Sequence, residues 1–388
     1  MDPLLVALAV ASLILATTAL GFSLAAWRRS APPPAMAVAT SDPDFCGDDY
    51  HAGPPAVIVN PSKVGNLEEL RAICERVAAQ ANLGTPLWFE TSEEDPGQGP
   101  TRAAVEAGAG FVVAVGGDGT VRQVATALAN TGVPLGVVAM GTGNLLARNL
   151  GLPLGSVADQ VTTAFTGTDR PMDVGWLSAE PLSAAEREST VGEPSYRDFR
   201  DGDGAVPVAT RGQEHIFLVI GGLGFDAAMV AGANAQLKAR IGWLAYSVTA
   251  VKSMVRRRIG VRMWVGGARE PEELYARTVM FANCGRLPGG VVLAPDAELD
   301  DGWLDIATID TRGGLVGWAS VGGRILLQGV GVRRDPISWA PGTMTFRRGT
   351  QVRVETDHPE AVQVDGDVIA IASTINARVE RGALLVRT

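Results

Sequence analysis

Cysteine and histidine are scarce in this chain of 388 residues. The three cysteines, Cys46, Cys74 and Cys284, have no short spacing between any two, which excludes a disulfide framework and a thiolate zinc site. His51, His215 and His358 are too scattered for a histidine metal site. Basic excess is missing as well: the formal net charge is −9, whereas a general nucleic-acid binder carries a basic footprint. Internal repeats are absent. What the chain has instead is 46% apolar residues and 47 glycines, the composition of a strand-rich globular enzyme with many tight turns. Its length allows two or three compact domains.

Leu4 to Trp27 is an uncharged run followed at once by Arg28 and Arg29. At about 1.5 Å per helical residue it would reach roughly 36 Å, enough to cross a bilayer. A cleaved signal peptide would need a positive segment before the run, and only Asp2 is charged there. The reading is one transmembrane helix over 4–27, with residues after 29 in the cytoplasm and Trp27 at the interface. Residues 30–54, proline-rich and then acidic, read as a linker that holds the next domain off the membrane.

From Ala56 the pattern alternates strand and helix. Strands are expected at Ala56–Val59, Leu87–Phe89, Phe111–Val115 and Leu135–Ala139. Helices are expected from Asn66, with Glu69 as capping partner and Gly84 as stop, and at Thr101–Ala107 and Val121–Ala129. This predicts a parallel sheet covered on both faces over 55–170. From 171 to 371 the pattern is mainly antiparallel. Its expected strands are His215–Ile220, Val261–Val265, Arg277–Ala282, Trp303–Ile309, Ser338–Phe346 and Gln351–Glu355, interrupted by a helix over 226–258. Residues 178–213 read as a mobile insertion. Lys252 and Arg256-Arg-Arg258 at the end of that helix suit either anionic headgroups or the helix C-terminus.

The strongest chemical signal is Phe111-Val-Val-Ala-Val-Gly-Gly-Asp-Gly-Thr120, a buried strand that ends in glycines where a helix begins. Gly116, Gly117 and Gly119 let backbone N–H groups approach a phosphate, and the helix start from Thr120 favours the anion. Asp118 is sensible there if Mg²⁺ or a water lies between it and the phosphates. Gly141, Thr142, Gly143 and Asn144 form a second such turn after the next strand, with Asn144 also a candidate helix cap. Asn60, Pro61, Ser62 and Lys63 follow the first strand and Thr91 the second, so all reach one sheet edge. Lys63 is either a phosphate contact or a solvated loop lysine. Together these residues point to a kinase that takes phosphate from a nucleoside triphosphate.

In that order the motifs resemble the diacylglycerol kinase catalytic family, a lipid-kinase superfamily that includes sphingosine and ceramide kinases. Gly222-Leu-Gly-Phe-Asp226, Asn283-Cys-Gly285, Gly289-Gly290, Ala294-Pro-Asp-Ala297, Asp300-Asp-Gly-Trp-Leu-Asp305 and Val364-Asp-Gly-Asp367 extend the resemblance over residues 55 to 388. It implies an α/β, phosphofructokinase-like nucleotide-binding domain and a β-sandwich second domain, with strand 372–388 returning to the first. It implies ATP and Mg²⁺ as cofactors, a lipid alcohol such as diacylglycerol as acceptor, and work at a membrane. Asp301, with backbone oxygens of Glu298 and Trp303, would match the family's magnesium site. Asp367 would match its proton acceptor, where the family usually has glutamate. Asp365 is the alternative base, and Asp-Gly at 365–366 also suits a hairpin turn. Two other readings share parts of the pattern: an NAD kinase, and a membrane-tethered regulatory module without turnover.

Overall fold

The computed structural model describes residues 53–190, 209–224, 258–286, 294, 296–311 and 342–388. The apolar run 4–27, nearly all of the linker, Phe225 and Asp226, the helix expected from 226, Gly289-Gly290 and the first residues of the strand expected at Ser338 lie outside the described residues. Among the described residues no helix is long and apolar enough to cross a membrane.

The first half folds by strict alternation. Strands β1 (Pro55–Val59), β2 (Leu87–Glu90), β3 (Phe111–Gly116) and β4 (Leu135–Ala139) are parallel in the order β2-β1-β3-β4. β1, β3 and β4 are buried along their lengths, because helices cover both faces. Val57, Val59, Val113 and Val115 pack on one face with α1 (Leu67–Gln80) and α5 (Val157–Thr166). Ala56, Ile58, Val112 and Ala114 pack on the other with α2 (Gln98–Glu106) and α3 (Asp118–Leu128). This is the period-two division of a strand between two faces. Asn66 caps α1 by accepting from the Glu69 N–H at 3.1 Å. The helix stops differently from expectation. Asn82, not Gly84, takes the left-handed conformation (φ 55°), while Leu83 N donates to Ala78 O and Asn82 N to Ala79 O. That is a Schellman closure, for which asparagine is the common substitute for glycine.

The second half is antiparallel, built from β5 (Asp169–Ala179), β6 (Glu214–Phe217), β7 (Ile220–Gly224), β8 (Ile259–Val265), β9 (Glu272–Ala276), β10 (Thr278–Ala282), β11 (Leu304–Thr311), β12 (Gly342–Gly349), β13 (Gln351–Val364) and β14 (Asp367–Arg387). Leu177 of β5, Ile259 of β8, Phe281 of β10, Ile306 of β11 and Ile375 of β14 share one buried core. Strands that are not neighbours thus face each other across it, as in a sandwich. One expectation fails here. His215–Ile220 is not one strand: it breaks at Leu218-Val219, whose N–H groups turn toward Asp365. The mobile insertion expected over 178–213 is ordered at its start, where β5 runs to Ala179 and α6 (Ala184–Thr190) follows, and its part over 191–208 lies outside the described residues. Ser183 and Glu186 start that helix as a reciprocal capping pair, Ser183 N donating to Glu186 Oε2 and Glu186 N to Ser183 Oγ.

β14 joins the halves. Ile375–Glu380 pairs with β5 and Leu384–Arg387 continues that pairing beyond a bulge, while Val386 lies opposite Leu135 of β4 in parallel. The parallel sheet therefore runs on into the antiparallel one.

Cys74 lies on the buried face of α1, where burial pushes its thiol up to about 12, and burial raises Cys284 well above the usual range. Thiolate is the reactive form. Iodoacetamide at pH 8 should therefore leave both unmodified in the folded protein and alkylate both after denaturation. Peptide mass spectrometry reads the result; rapid native labelling of Cys74 would contradict the packing.

Candidate functional site

The carboxyl ends of β1 to β4 lie along one edge, and the sequence-expected residues meet there. Asn60 N donates to Val115 O at 3.0 Å, Thr91 N to Val59 O at 2.9 Å and Met140 N to Gly116 O at 2.8 Å. Asn60 Nδ2 reaches Thr120 Oγ1 at 3.3 Å, and its Oδ1 accepts from Ser62 N and Ser62 Oγ. Pro61, Ser62 and Lys63 form an exposed 3-10 turn at the mouth. Thr91 is buried behind them.

Asp118 opens α3 but does not face outward. Its Oδ2 accepts from Asn144 N at 2.9 Å and its Oδ1 from Leu145 N at 2.6 Å. It thereby caps α4 (Leu145–Asn149) and fastens the second glycine turn to the first. Burial pushes its carboxyl up, against the Leu145 and Asn144 N–H groups and nearby Arg148. In this arrangement each Asp118 oxygen is engaged by one backbone N–H of the second glycine turn. Asn144 does not cap α4. It sits at φ 50°, and its Oδ1 takes the Gly141 N–H at 2.9 Å, so that donor is also spent.

The glycines divide by the space around them. A Cβ on Gly141 would lie 2.8 Å from Gly117 Cα, and one on Gly143 would lie 2.8 Å from Asp118 Oδ2. These two allow the turns to touch. A Cβ on Gly119 would meet nothing nearer than Asp367 Oδ2 at 3.7 Å. Gly119 and Thr120 stand in the first turn of α3, where N–H groups have no intrahelical acceptor and the helix field favours an anion.

The turn Val364-Asp365-Gly366-Asp367 brings the second half to this edge. Asp365 (φ 46°) and Gly366 (φ 92°) supply the two positive φ angles of a type I′ hairpin. Asp365 accepts from Leu218 N at 2.7 Å and from Val219 N and Ile220 N, each at 2.9 Å. Burial raises its carboxyl, opposed by Arg122 and those three N–H groups. It is a backbone clamp with both oxygens occupied, not a base open to a substrate. Asp367 is different: its side chain is 58% exposed and touches Arg122 of α3 through Nη2. Arg122, which the sequence reading passed over, has a side chain only 8% exposed. Its signal was a charge inside the otherwise apolar stripe Val121, Val124, Ala125, Leu128.

Asp301 and Trp303 stand together in the segment that also carries Glu298. Asp301 Oδ1 accepts from Trp303 N at 3.0 Å, and Oδ2 is paired with Arg348. Arg348 also holds Asp305 at 3.3 Å and Asp296 O at 3.1 Å. Asp173, a second residue missed in the sequence, accepts from Gly302 N and from Gly382 N, so it ties this segment to β14. Among the described residues no group of three acidic, histidine or cysteine side chains could hold a metal ion. Folded this way, the segment is an ion-pair network in which Arg348 pairs with both Asp301 and Asp305. Asn283 Nδ2 donates to Asp173 O and Leu218 O and so ties β5 to the break between β6 and β7.

Comparison with known proteins agrees with this geometry. Residues 54–177 match the model of the diacylglycerol kinase catalytic domain, and residues 220–388 that of the YegS C-terminal NAD kinase beta sandwich-like domain. A protein of Pseudomonas aeruginosa named "Probable lipid kinase YegS-like" is 30% identical over 67% of this chain and 74% of its own length. A diacylglycerol kinase of Mycobacterium tuberculosis is 27% identical over 54% of this chain, which spans 59% of that relative. The uncharacterized protein sll0036 of Synechocystis is 26% identical over 81% of this chain and 65% of its own length. The crystal structure of a diacylglycerol kinase from Bacillus anthracis superposes with a TM-score of 0.56 at 18% identity, covering 86% of this chain and 96% of that one.

Proposed function

Because the chain belongs to the diacylglycerol kinase-like lipid kinase family, we propose that it transfers the γ-phosphoryl group of Mg·ATP to a lipid hydroxyl, that of diacylglycerol, giving phosphatidic acid. The observation that carries this reading is the exposed carboxylate of Asp367, delivered by the second half of the chain to the open side of Gly119. A kinase needs a phosphate cradle and, beside it, an acceptor-side group for the hydroxyl proton. The α3 N-terminus with Gly119 and Thr120 serves as the cradle. Ser62, Lys63, Thr142 and Gly143 stand around its mouth. Magnesium arrives with the triphosphate as part of the substrate and neutralises its charge.

The protein's part is positioning. The staple from Asp118 fixes the two glycine turns against each other, so their N–H groups need little rearrangement when the triphosphate binds. Asp367 takes the proton of the attacking hydroxyl as the oxygen–phosphorus bond forms and the bond to the bridging oxygen of ADP breaks.

The acceptor is what most needs testing. The names of the diacylglycerol kinase relatives support a lipid alcohol over a soluble dinucleotide. Purified protein given γ-labelled ATP should label diacylglycerol in mixed micelles and leave NAD unlabelled. Label on NAD alone would favour the dinucleotide reading, and label on neither would favour a module without turnover. We further propose that residues 4–27 anchor the chain with its catalytic part in the cytoplasm. A variant lacking residues 1–29 should keep its activity on micellar diacylglycerol, because every candidate site residue lies at or beyond Asn60. Release of the full-length chain from membranes by carbonate would refute the anchor.

A further inference from the structure

Arg122 is placed oddly for a residue with only a packing role. It lies one turn into α3, and its guanidinium is almost wholly buried, yet the carboxylate it holds is more than half exposed. Nη2 donates to Asp367 Oδ2 and Nη1 donates to Val364 O at 3.3 Å, while Nε has no hydrogen-bond partner. Even with the buried Asp365 carboxyl nearby, a buried cation with one donor unmet and its hydrogen-bonded counter-ion facing solvent is a costly arrangement for stability alone.

The hairpin turn has its own supports besides the Nη1 bond to Val364 O. Asp365 and Gly366 satisfy the turn, and three N–H groups clamp Asp365 to the β6–β7 corner. What these contacts leave undetermined is the direction of the Asp367 side chain, which the turn does not use. Arg122 supplies that constraint from behind, out of the helix whose first turn carries Gly119 and Thr120. One rigid helix thus presents the cradle at its start and, one turn later, the guanidinium that aims the carboxylate across it.

We infer that Arg122 is a positioning residue for phosphoryl transfer: it holds the Asp367 carboxylate beside the glycine turn, so that the phosphate donor and the proton acceptor are set by the same helix. This rests on the kinase reading above. Arg122 touches neither substrate, and it acts through Asp367. Because a carboxylate displaced by about 1 Å can cost on the order of 10²-fold in rate, fixing one rotamer is a large effect for one contact.

The test is a length-exchange cycle on the full chain, assayed with Mg·ATP and micellar diacylglycerol. Arg122→Gln should lower kcat by about 10²-fold, while KM for ATP changes by less than about threefold, since the lost interaction belongs to the transition state. Arg122→Lys shortens the cation and Asp367→Glu lengthens the acid, and each should lower kcat. Together they restore the span, so Arg122→Lys/Asp367→Glu should turn over faster than Arg122→Lys alone. A purely structural role would give no such rescue, and if Arg122→Gln fails to fold, the lysine cycle still decides. Full kcat in a folded Arg122→Gln, or losses that simply multiply in the double variant, would overturn the assignment while wild-type turnover leaves the kinase reading standing. A wild-type chain that phosphorylates no lipid alcohol would remove the kinase reading, and this assignment with it.

Discussion

Asp367→Asn should lower kcat by about 10²–10⁴-fold, the usual contribution of a positioned general base. Nucleotide binding should change little, because the residue serves the acceptor side and no glycine-turn donor depends on it. The asparagine is close to isosteric, and its Oδ1 can still accept from Arg122, so the fold should survive; a melting temperature near wild type checks this. Asp367→Glu keeps the carboxylate one methylene further out. It should stay within about tenfold of wild type, a much smaller loss than that of the asparagine variant. The competing idea, that Asp367 only shapes the hairpin, predicts the reverse order, since asparagine is at home in turns. The positive φ angles fall on Asp365 and Gly366, so position 367 makes no demand that asparagine would meet better. Finding the asparagine variant fully active and the glutamate variant inactive would remove the base assignment. Asp365 would not inherit it, because its oxygens already accept three N–H groups.

The second large effect should come from Asp118→Asn, through a different quantity. The carboxylate accepts two backbone N–H groups at once, from Asn144 and Leu145. An asparagine amide offers one acceptor and must turn a donor toward the other N–H. Hydrogen bonds to a charged group contribute about 1.5–3 kcal/mol, so the second glycine turn should come loose and the melting temperature should fall measurably. The phosphate cradle is then no longer formed before ATP arrives. KM for ATP should rise by an order of magnitude or more and kcat/KM should fall further. Measuring ATP affinity and melting together separates this from metal binding. A variant with wild-type stability and ATP affinity but no turnover would mean that Asp118 acts on the reaction itself, against the geometry. Burial raises the same carboxyl, so it takes up its proton at a higher pH than an ordinary aspartate would.

The parallel half of the fold was legible because its signals are local. Strand-period apolar runs, an asparagine cap three residues before a glutamate, and glycines at strand ends all lie within a few residues of what they specify. The edge cluster of Asn60, Thr91, Gly116 and Gly141 followed from that alternation alone. The roles of individual side chains did not. Asp118 and Asn144 were legible as residues of a turn, but the direction in which Asp118 points depends on a loop 26 positions away. Arg122 and Asp367 meet across 245 positions, and Asp173 and Gly382 across 209. No periodicity or spacing rule connects such partners. The β-rich half was read least well for a related reason. β5 and β14 are long, carry bulges that shift the face each residue presents, and are stabilised by distant strands rather than by their own turns.

β14 has a consequence for the order in which the molecule can be made. β4 emerges with its outer edge unpaired, and its partner around Val386 is synthesised roughly 250 residues later. At about 5–20 residues per second that interval is on the order of 12–50 seconds, during which an apolar strand edge is exposed on the nascent chain. Such an edge can pair with another chain. The nucleotide-binding half therefore cannot complete itself ahead of the rest, as an N-terminal domain ordinarily does. Slow translation or premature termination before β14 should leave a sticky fragment in place of a folded half-enzyme.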